Sequence, residues 1–366
     1  MKNVFGSSLT ITLFGESHGA AIGATLDGLA PGLPVDESYI KTRLSLRRPS
    51  SSVDTKRREK DEFSIVSGVF NGVTTGAPLT IVIPNTDTRS ADYQKTRAAA
   101  RPSHADYTAH VKYGGCEDYR GGGHFSGRIT AAIVAVTAPL LQALERLGIE
   151  IGSHVLTCAD VCDTPFSLDP LSEIRRLKGE RFPTLDAAKR DEMIAAIEKA
   201  ASECDSVGGT IETAVCGLPC GLGEPWFDST ESMLSHALFS LGGVKGVQFG
   251  SGFAFASMRG STANDEFYAD EKGVHTYTNN NGGINGGITN GMPLVFSCAV
   301  KPTPSISREQ KSIDLFTHEN VPLRISGRHD PAIVRRICPV IDGITAFVIA
   351  DLLTIGYGVN ALKKGF

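Results

Sequence analysis

Cysteine is scarce in this sequence. Eight cysteines in 366 residues are too sparse for a disulfide scaffold. The pairs Cys158/Cys162 and Cys216/Cys220 have three intervening residues, whereas zinc ribbons usually have two. We therefore interpret them as free thiols and expect no metal site.

The sequence also lacks a basic excess and a long apolar run. The net charge of -4 argues against a nucleic-acid partner, because proteins that neutralise many phosphates usually carry a basic excess. The N-terminus lacks the apolar segment of a signal peptide, and no apolar run approaches the roughly 18 residues of a membrane span. These absences predict a cytoplasmic protein with no membrane contact.

The apolar content is high enough for a large core. With 41% hydrophobic residues, we expect a single domain over 1–366, built as one unit or as two intimately packed halves. Internal echoes favour pseudo-equivalent halves at about 5–147 and 209–356, each a helix-covered sheet, with the buried helices packed between them. The echoes pair 27–39 with 216–232, 74–79 with 289–294, and the apolar helix pattern at 129–141 with that at 341–355.

The stretch 101–128 has the composition of an active site. It contains three histidines, three arginines and six glycines, immediately before the apolar run. Glycines such as Gly121 would let a ligand approach the backbone, and Ser126 is suited to cap the following helix. Backbone N–H groups and the positive end of the helix dipole would then favour an anion. An ordinary turn before a helix is the alternative.

Arginine, rather than lysine, occupies most of the cationic motif positions. The guanidinium fork binds phosphate and carboxylate in bidentate fashion, which favours a small, highly anionic ligand. Solvated surface charge is the alternative, and we prefer it for Arg57 and Arg58. The arginines are Arg47, Arg48, Arg57, Arg58, Arg101, Arg120, Arg128, Arg328, Arg335 and Arg336.

A strand pattern over 9–14 leads into GESHG at 15–19. This matches the G-x-S-x-G motif of serine hydrolases, but the glycines and prolines that follow exclude the helix that the motif needs. His18 is the better candidate, because an imidazole between glycines at a strand end can exchange a proton near neutral pH. A structural turn histidine is the alternative.

Three stretches of the second half could contribute to the same site. The segment 263–291 reads as a long loop, and its part 282–291 has the glycine content of a ligand cradle. A strand pattern over 294–300 leads into KPTPS at 301–305, where a lysine and two hydroxyls suit a phosphate or a ring edge. In GRHDP at 327–331, Asp330 can cap a helix that begins at Pro331.

These residues allow two chemistries. A metallophosphatase is one, but guanidiniums would repel its divalent ion. Beside an anion, the arginines instead act together with histidines that can protonate a departing phosphate. A P-loop at 122–127 fails, because its lysine and hydroxyl are missing. We therefore expect proton transfer on a small polyanion that loses phosphate. The ligands of the metal alternative would be His18, His104, His329, Asp106 and Asp330.

Six motifs, in order over nearly the whole chain, resemble chorismate synthase. The resemblance implies a carbon–oxygen lyase that converts 5-enolpyruvylshikimate 3-phosphate to chorismate, by anti 1,4-elimination of phosphate and a ring hydrogen, in the last step of the shikimate pathway. It also implies reduced FMN as cofactor, with NADPH as reductant in members that reduce their own flavin. The motifs are GESHG at 15–19, RPSHAD at 101–106, DYRGGG at 118–123 with Ser126 and Arg128, GGINGGIT at 282–289, KPTPS at 301–305 and GRHDP at 327–331.

The same resemblance implies roles for individual residues. His18 would protonate the leaving phosphate, His104 would tune the charge of the reduced flavin, and Asp330 would assist proton removal at the flavin. Arg47 resembles a position associated with nicotinamide dinucleotide phosphate. The anionic groups of the substrate would be held by Arg48, Arg101, Arg128 and Arg328. FMN would be bound by His124, Phe125, Ser126, Gly242, Gly243, Gly286, Lys301, Pro302, Thr303, Pro304, Ser305 and Arg328, although Arg and Ser are frequent where His124 and Phe125 stand.

The family fold is a layered β-α-β sandwich of the α+β class that assembles as a homotetramer. It fits the two halves expected from the echoes. A non-catalytic or hydrolytic phosphate binder is the alternative function, and it predicts metal dependence or indifference to flavin.

Overall fold

The chain folds into a sandwich of two antiparallel sheets around buried helices. The structure, a computed structural model, describes residues 2–50, 54, 59–87, 97–271, 273–325 and 329–364. Arg328, Arg57 and Arg58 lie outside the described residues. The predicted layered β-α-β sandwich of the α+β class is confirmed, because each sheet covers one side of the helical layer.

Each sheet has five strands in the described part of the chain. The first has the order β1-β2-β3-β7-β4 and the second the order β11-β16-β10-β8-β9. The strands of the first sheet are β1 Val4–Phe5, β2 Thr10–Gly15, β3 Ala21–Asp27, β4 Ser64–Ser67 and β7 Leu79–Pro84. Those of the second are β8 Glu150–Cys158, β9 Val161–Cys162, β10 Gly209–Cys216, β11 Val244–Phe249 and β16 Leu294–Val300.

Short hairpins and helices complete the described fold. The segment 263–291, expected to be one long loop, instead contains two hairpins. The hairpins pair β5 Val69–Phe70 with β6 Val73–Thr74, β12 Phe267–Asp270 with β13 Gly273–Thr276, β14 Ile284–Asn285 with β15 Ile288–Thr289, and β17 Glu309–Ile313 with β18 Asn320–Arg324. The helices are α1 Glu37–Arg47, α2 Asp106–Tyr113, α3 Thr130–Arg146, α4 Leu171–Leu177, α5 Ala187–Ser202, α6 Thr230–Phe239, α7 Gly260–Ala263, α8 Val334–Tyr357 and α9 Ala361–Lys364.

Helices α3 and α8 form the buried layer because both are apolar on nearly every side. They pack against each other, α3 against β3 and β7 and α8 against β8 and β10. By length and composition, Gly127–Arg146 and Val334–Tyr357 could cross a membrane, but 83% and 100% of their apolar windows are buried inside the molecule. The expectation that no apolar stretch reaches this length was therefore wrong, although the burial is that of core helices.

Two carboxylates interrupt the apolar sequence of α8 without ending the helix. Asp342 pairs with Arg43 of α1 at 2.5 Å and accepts a hydrogen bond from the Ser153 hydroxyl. Asp351 accepts the backbone N–H groups of Ser7, Ser8 and Leu9. Buried charges are tolerated when they are paired or hydrogen-bonded in this way.

The two sheets have the same strand order within their central parts. The order β2-β3-β7-β4 corresponds to β8-β10-β16-β11, with α1 after β3 and α6 after β10. Each half then ends in one of the buried helices. This correspondence supports two pseudo-equivalent halves. It assigns β8 to the second half, although the predicted range 209–356 leaves β8 out, and the division at about 5–147 and 209–356 stays a prediction.

The segment 163–208, between β9 and β10, covers the second sheet on the side away from α8. Ser153 faces Asp342, so the next residue of the strand, His154, points to the opposite face. There its ring lies between the carboxylates of Asp163 and Glu212, at 3.2 and 2.9 Å. Burial lowers the pKa of His154, but the hydrogen bonds with the two carboxylates outweigh burial and raise the pKa above its ordinary value.

Candidate active site

The turn after β2, which carries His18, is hydrogen-bonded to the glycine-rich loop at 120–125. β2 ends at Gly15, whose carbonyl lies 2.8 Å from His124 Nδ1, and the Ser17 N–H donates to the Gly123 carbonyl at 3.0 Å. Asn85, immediately after β7, donates from its side-chain amide to two carbonyls of the same turn. The turn is followed by strand β3 rather than a helix, which excludes the serine-hydrolase nucleophile elbow.

The two predicted catalytic histidines lie against consecutive glycines. Gly121 and Gly122 have φ angles of 60° and 85°, a region that favours glycine. A Cβ at Gly121 would lie 2.1 Å from the ring of His18, and one at Gly122 would lie 3.3 Å from the ring of His104. The glycines are therefore required for close approach, and they bring both imidazoles to one turn.

His104 also belongs to a compact charged cluster. Asp106, the first residue of α2, accepts two hydrogen bonds of 2.7 Å from the Arg101 guanidinium and lies 2.6 Å from His104 Nδ1. Burial raises the pKa of Asp106, but the hydrogen bonds and charges of Arg101 and His104 outweigh burial and lower the pKa below its ordinary range. The carboxylate is therefore ionised at neutral pH.

A cleft opens beside this cluster. It is bounded by α2, the glycine-rich loop and the turn after β17, and its lining includes Arg101, His104 and Phe125. Arg97 lies over the rings of Tyr119 and Phe316, 4.9 and 5.8 Å from their centroids. The cleft thus has a cationic edge and an aromatic edge.

The second half reaches the same cluster through two segments. The Lys301 ammonium donates to the carbonyl of Ser103 at 2.5 Å. His329 lies close enough to Arg101 and His104 for their charges to lower its pKa, after burial as the larger cause. Its Nε2 is buried and has no hydrogen-bond partner among the described residues. The site is therefore built by both halves.

Asp330 pairs with Arg336 rather than capping a helix. α8 begins at Val334, three residues later than Pro331, and Ile333 occupies the N-cap without a side-chain bond. The Arg336 guanidinium lies 2.5 Å from the Asp330 carboxylate and also donates to the Arg47 carbonyl at 3.0 Å. The predicted cap was therefore wrong, because the ion pair holds the carboxylate instead.

Arg128 and Arg47 are buried and already satisfied. Arg128 donates to Asp61, to the Asn85 side-chain oxygen and to the Pro84 carbonyl. Arg47 donates to Thr130 Oγ1 and the Gly127 carbonyl at 2.7 and 2.6 Å. An anion can engage Arg128 in this conformation by exchanging with Asp61.

Arg48 is less fully satisfied. One of its terminal nitrogens donates to the Lys60 carbonyl at 2.9 Å, and its Nε is buried without a hydrogen-bond partner in the part of the chain described. A donor of this kind is suited to an incoming anion.

Most of the residues predicted for the flavin lie near one another. Ser126 caps the turn before α3, with its hydroxyl accepting the Arg128 N–H. The Phe125 carbonyl is 4.0 Å from where a Cβ of Gly242 would lie, and the Gly243 carbonyl accepts the Lys301 N–H at 2.9 Å. These contacts join residues 124–126, 242–243 and the beginning of 301–305.

Gly286 lies in a different packing environment. It is in the turn of the hairpin β14–β15, where Thr289 donates to the Leu222 carbonyl and Gly287 accepts from Thr230 of α6. The described contacts of this hairpin do not join Gly286 to the other predicted flavin residues, so its role stays a prediction.

The match to a known family decides between the chemistries. The sequence model of one family, described as chorismate synthase, matches residues 9–354. The chain belongs to the chorismate synthase family. Chorismate synthase of Thermococcus gammatolerans is 47% identical over 348 residues, covering 95% of this chain and 96% of that protein. Chorismate synthase of Methanocella arvoryzae is 43% identical over 364 residues, covering 99% and 97%.

A solved structure extends this similarity to the fold. The crystal structure of a chorismate synthase superposes with a TM-score of 0.76 at 29% identity, covering 97% of this chain and 94% of that one. Chorismate synthase membership makes the chain a lyase of aromatic biosynthesis that eliminates phosphate. Within the described residues, no group of three or more His, Cys, Asp or Glu side chains could hold a metal ion.

The family implies a flavin cofactor, and the residues present fit one. A side chain at position 121 would collide with the ring of His18, and one at position 122 would crowd the ring of His104. The Thr303 hydroxyl and His329 Nε2 are buried without partners within the described ranges. Burial and the neighbouring Lys245 ammonium lower the pKa of Lys301. A bound phosphate would stabilise the charged ammonium and so oppose this shift.

Several residues that build the site were not assigned a role from the sequence. Asn85 directly follows an apolar strand pattern, so its position at a strand end was a usable signal. Asp61 and Lys245 gave no such signal, because their importance comes from partners far away in the chain.

Proposed function

We propose that this protein converts 5-enolpyruvylshikimate 3-phosphate to chorismate by anti 1,4-elimination of phosphate and a ring hydrogen, with reduced FMN as cofactor. The observation that carries the proposal is the placement of His18 and His104 against consecutive glycines, beside Arg101 and next to Lys301 and His329 of the other half. Proton donors and fixed cations around one turn suit the departure of a phosphate.

His18 is the proposed acid for the leaving phosphate. It is largely buried between the turn after β2 and the glycine-rich loop, so the proton it gives is not shared freely with water. Arg48, Arg101, Arg128 and Arg328 hold the anionic groups of the substrate in this proposal. Arg128 does so after exchange with Asp61.

The cofactor is proposed to lie against residues 124–126, 242–243, Gly286, 301–305 and Arg328. When bound there, reduced FMN would supply electron density for the departure of phosphate. His104 is proposed to tune the charge of the reduced flavin, and Asp330, held by Arg336, is proposed to assist proton removal at the flavin. Arg47 is proposed as a contact of nicotinamide dinucleotide phosphate, which requires exchange of its bonds to Thr130 and Gly127.

We propose a cytoplasmic homotetramer. Several large apolar side chains are strongly exposed in the single chain, among them Trp226 at 85%, Phe227 at 91% and Phe253 at 84%. Exposed apolar patches of this kind mark association surfaces.

An anaerobic turnover assay tests the proposal. The protein, the substrate and chemically reduced FMN should yield chorismate, and oxidised FMN should yield none. A phosphate-binding or hydrolytic protein would instead release no chorismate, or would depend on a metal and ignore the flavin. Steady oxidation of NADPH by the pure protein with FMN would show that it reduces its own flavin.

The residue roles can be tested in the same assay. His104→Ala and Asp330→Asn should lower kcat by about 100-fold or more, because groups that hold or move protons contribute about that much. Flavin titration should still show binding in both variants. Abolished binding would contradict the assigned roles.

A further inference from the structure

Asp106 makes more polar contacts to the proposed site than any role assigned so far explains. Its Oδ2 accepts the Arg101 Nε–H at 2.7 Å and the Arg101 backbone N–H at 3.0 Å. Its Oδ1 accepts Arg101 Nη2 at 2.7 Å and lies 2.6 Å from His104 Nδ1. One carboxylate therefore holds both an arginine and a histidine of the site.

These distances place a proton on Nδ1 of His104. Two lone pairs at 2.6 Å would repel each other, so a proton must lie between Nδ1 and the carboxylate, with Nδ1 as the donor. The Arg101 Nη2 nitrogen is 3.0 Å from Nδ1, but it cannot donate there because that position already carries a hydrogen. The Nη2–Nδ1 approach is therefore a close contact rather than a hydrogen bond.

The opposite edge of the ring faces the glycine-rich loop. A Cβ at Gly122 would lie 3.3 Å from both Nε2 and Cε1 of His104. With Nδ1 held by Asp106, Nε2 is the nitrogen left to exchange a proton or a hydrogen bond with a ligand above Gly122. An imidazole held in this way cannot rotate without losing the bond to the carboxylate.

We propose that Asp106 is a positioning residue that sets the tautomer and orientation of His104 and, through the same carboxylate, the orientation of Arg101. The inference rests on the proposed function, in which both residues face substrate or flavin. Other charged groups meet the cluster from the second half. His329 lies near Arg101 and His104, and Lys301 binds the carbonyl of Ser103.

A double-mutant cycle in kcat tests the proposal. Asp106→Asn should lower kcat by about 10- to 100-fold, as loss of an outer hydrogen-bonding partner does for metal-bound histidines. It should also raise KM, because Arg101 loses its anchor. In a His104→Ala background, Asp106→Asn should lower kcat little further, because its effect on kcat acts through His104. Asp106→Glu, which keeps the charge, should recover part of the loss.

Glu117→Gln is the matched control. Glu117 lies 3.3 Å from Nδ1 of His110, a histidine within α2, so the variant removes a carboxylate from a comparable pair. Its kcat should stay within about twofold of wild type. Equal losses in Asp106→Asn and Glu117→Gln would indicate a general effect on α2 and would overturn the proposal.

A measurement independent of turnover separates this inference from the proposed function. Solid-state ¹⁵N spectra of histidine-labelled protein, with the His104 signals identified by their loss in His104→Ala, should show the Nδ1-protonated form. That signature should be lost or mixed in Asp106→Asn and retained in Glu117→Gln. If wild type makes no chorismate, the proposed function fails, and these spectra still decide whether Asp106 sets the tautomer. An unchanged His104 signature with additive losses in kcat would refute positioning.

Discussion

At the scale of single residues, the site depends on close approach more than on side-chain identity. At Gly121 there is no room for a methyl group beside the ring of His18. The Asp61 carboxylate binds Arg128 where an anion of the substrate would bind. The glycine cluster and the histidines could be predicted, since both are visible in the sequence. The partners of the arginines could not, because Asp61 lies 67 residues from Arg128 and no local pattern links them.

Gly121→Ala should displace His18 and lower kcat by about 100-fold, the usual effect of a misplacement of about 1 Å. The new Cβ would lie 2.1 Å from the ring, and the φ angle of 60° adds strain. Gly148→Ala is the matched control, since Gly148 also has positive φ but meets nothing within 4 Å. Equal losses of kcat in the two variants would attribute the effect to backbone strain instead.

Arg128→Ala should raise KM by roughly tenfold or more, because a hydrogen bond to a charged group contributes about 1.5–3 kcal/mol. It should also lower the free energy of unfolding by about 3 kcal/mol, because Asp61 is left buried without this partner. Substrate kinetics and chemical denaturation at one protein concentration measure the two effects. An unchanged KM with lowered stability would assign Arg128 a structural role.

At the scale of secondary-structure elements, apolar periodicity predicted the regular strands and helices well. β16 spans the predicted range 294–300 because its apolar run is a local pattern. α1 and α6 begin after side-chain caps at Asp36 and Ser229, which are also local signals. The start of α8 was placed wrongly because Asp330 pairs with the side chain of Arg336, in the first turn of α8, instead of capping a backbone N–H. The hairpins within 263–291 were missed because their strands are only two to four residues long, too short to show an alternating pattern.

The stability of the contact between β8 and the segment 163–208 should depend on pH. The pKa of His154 is raised in the folded protein, so its stabilisation is complete below the unfolded value of about 6.5 and is lost as pH rises through the folded value. Backbone N–H groups of Phe166, Leu185 and Asp186 bond the same carboxylates. Their hydrogen exchange, corrected for intrinsic rates, should therefore accelerate between pH 6 and pH 9.

His154→Gln should remove this dependence and lower protection at pH 6 by about 3 kcal/mol, because two buried carboxylates lose their cation. His275→Gln is the control, since His275 pairs with Asp270 in a partly exposed hairpin. A wild-type profile that is flat with pH would refute the role of His154.

At the scale of the whole molecule, the two halves are joined through their core helices. The layered arrangement could be predicted from the internal echoes and the family resemblance together. The ion pair between Arg43 of α1 and Asp342 of α8 could not, because it joins residues 299 positions apart. Burial raises the pKa of Asp342 despite this partner, so the carboxylate depends on the arginine for its charge.

Arg43→Met should destabilise the fold by about 3–5 kcal/mol, because it leaves a buried carboxylate unpaired. Arg43→Met combined with Asp342→Leu should recover much of that loss. Denaturant unfolding at fixed protomer concentration measures both. Lys41→Met on the same helix, which breaks an exposed pair with Glu37, should change stability by less than about 1 kcal/mol. A double variant no more stable than Arg43→Met would contradict the pairing argument.

The bonds from Ser7, Ser8 and Leu9 to Asp351 span as many as 344 positions. During synthesis, the first sheet emerges from the ribosome long before the helix that completes its core. The nascent chain must therefore hold an unfinished apolar surface until residues 334–357 have been synthesised, which makes this a protein that chaperones would shield and that termination before α8 would leave prone to aggregation.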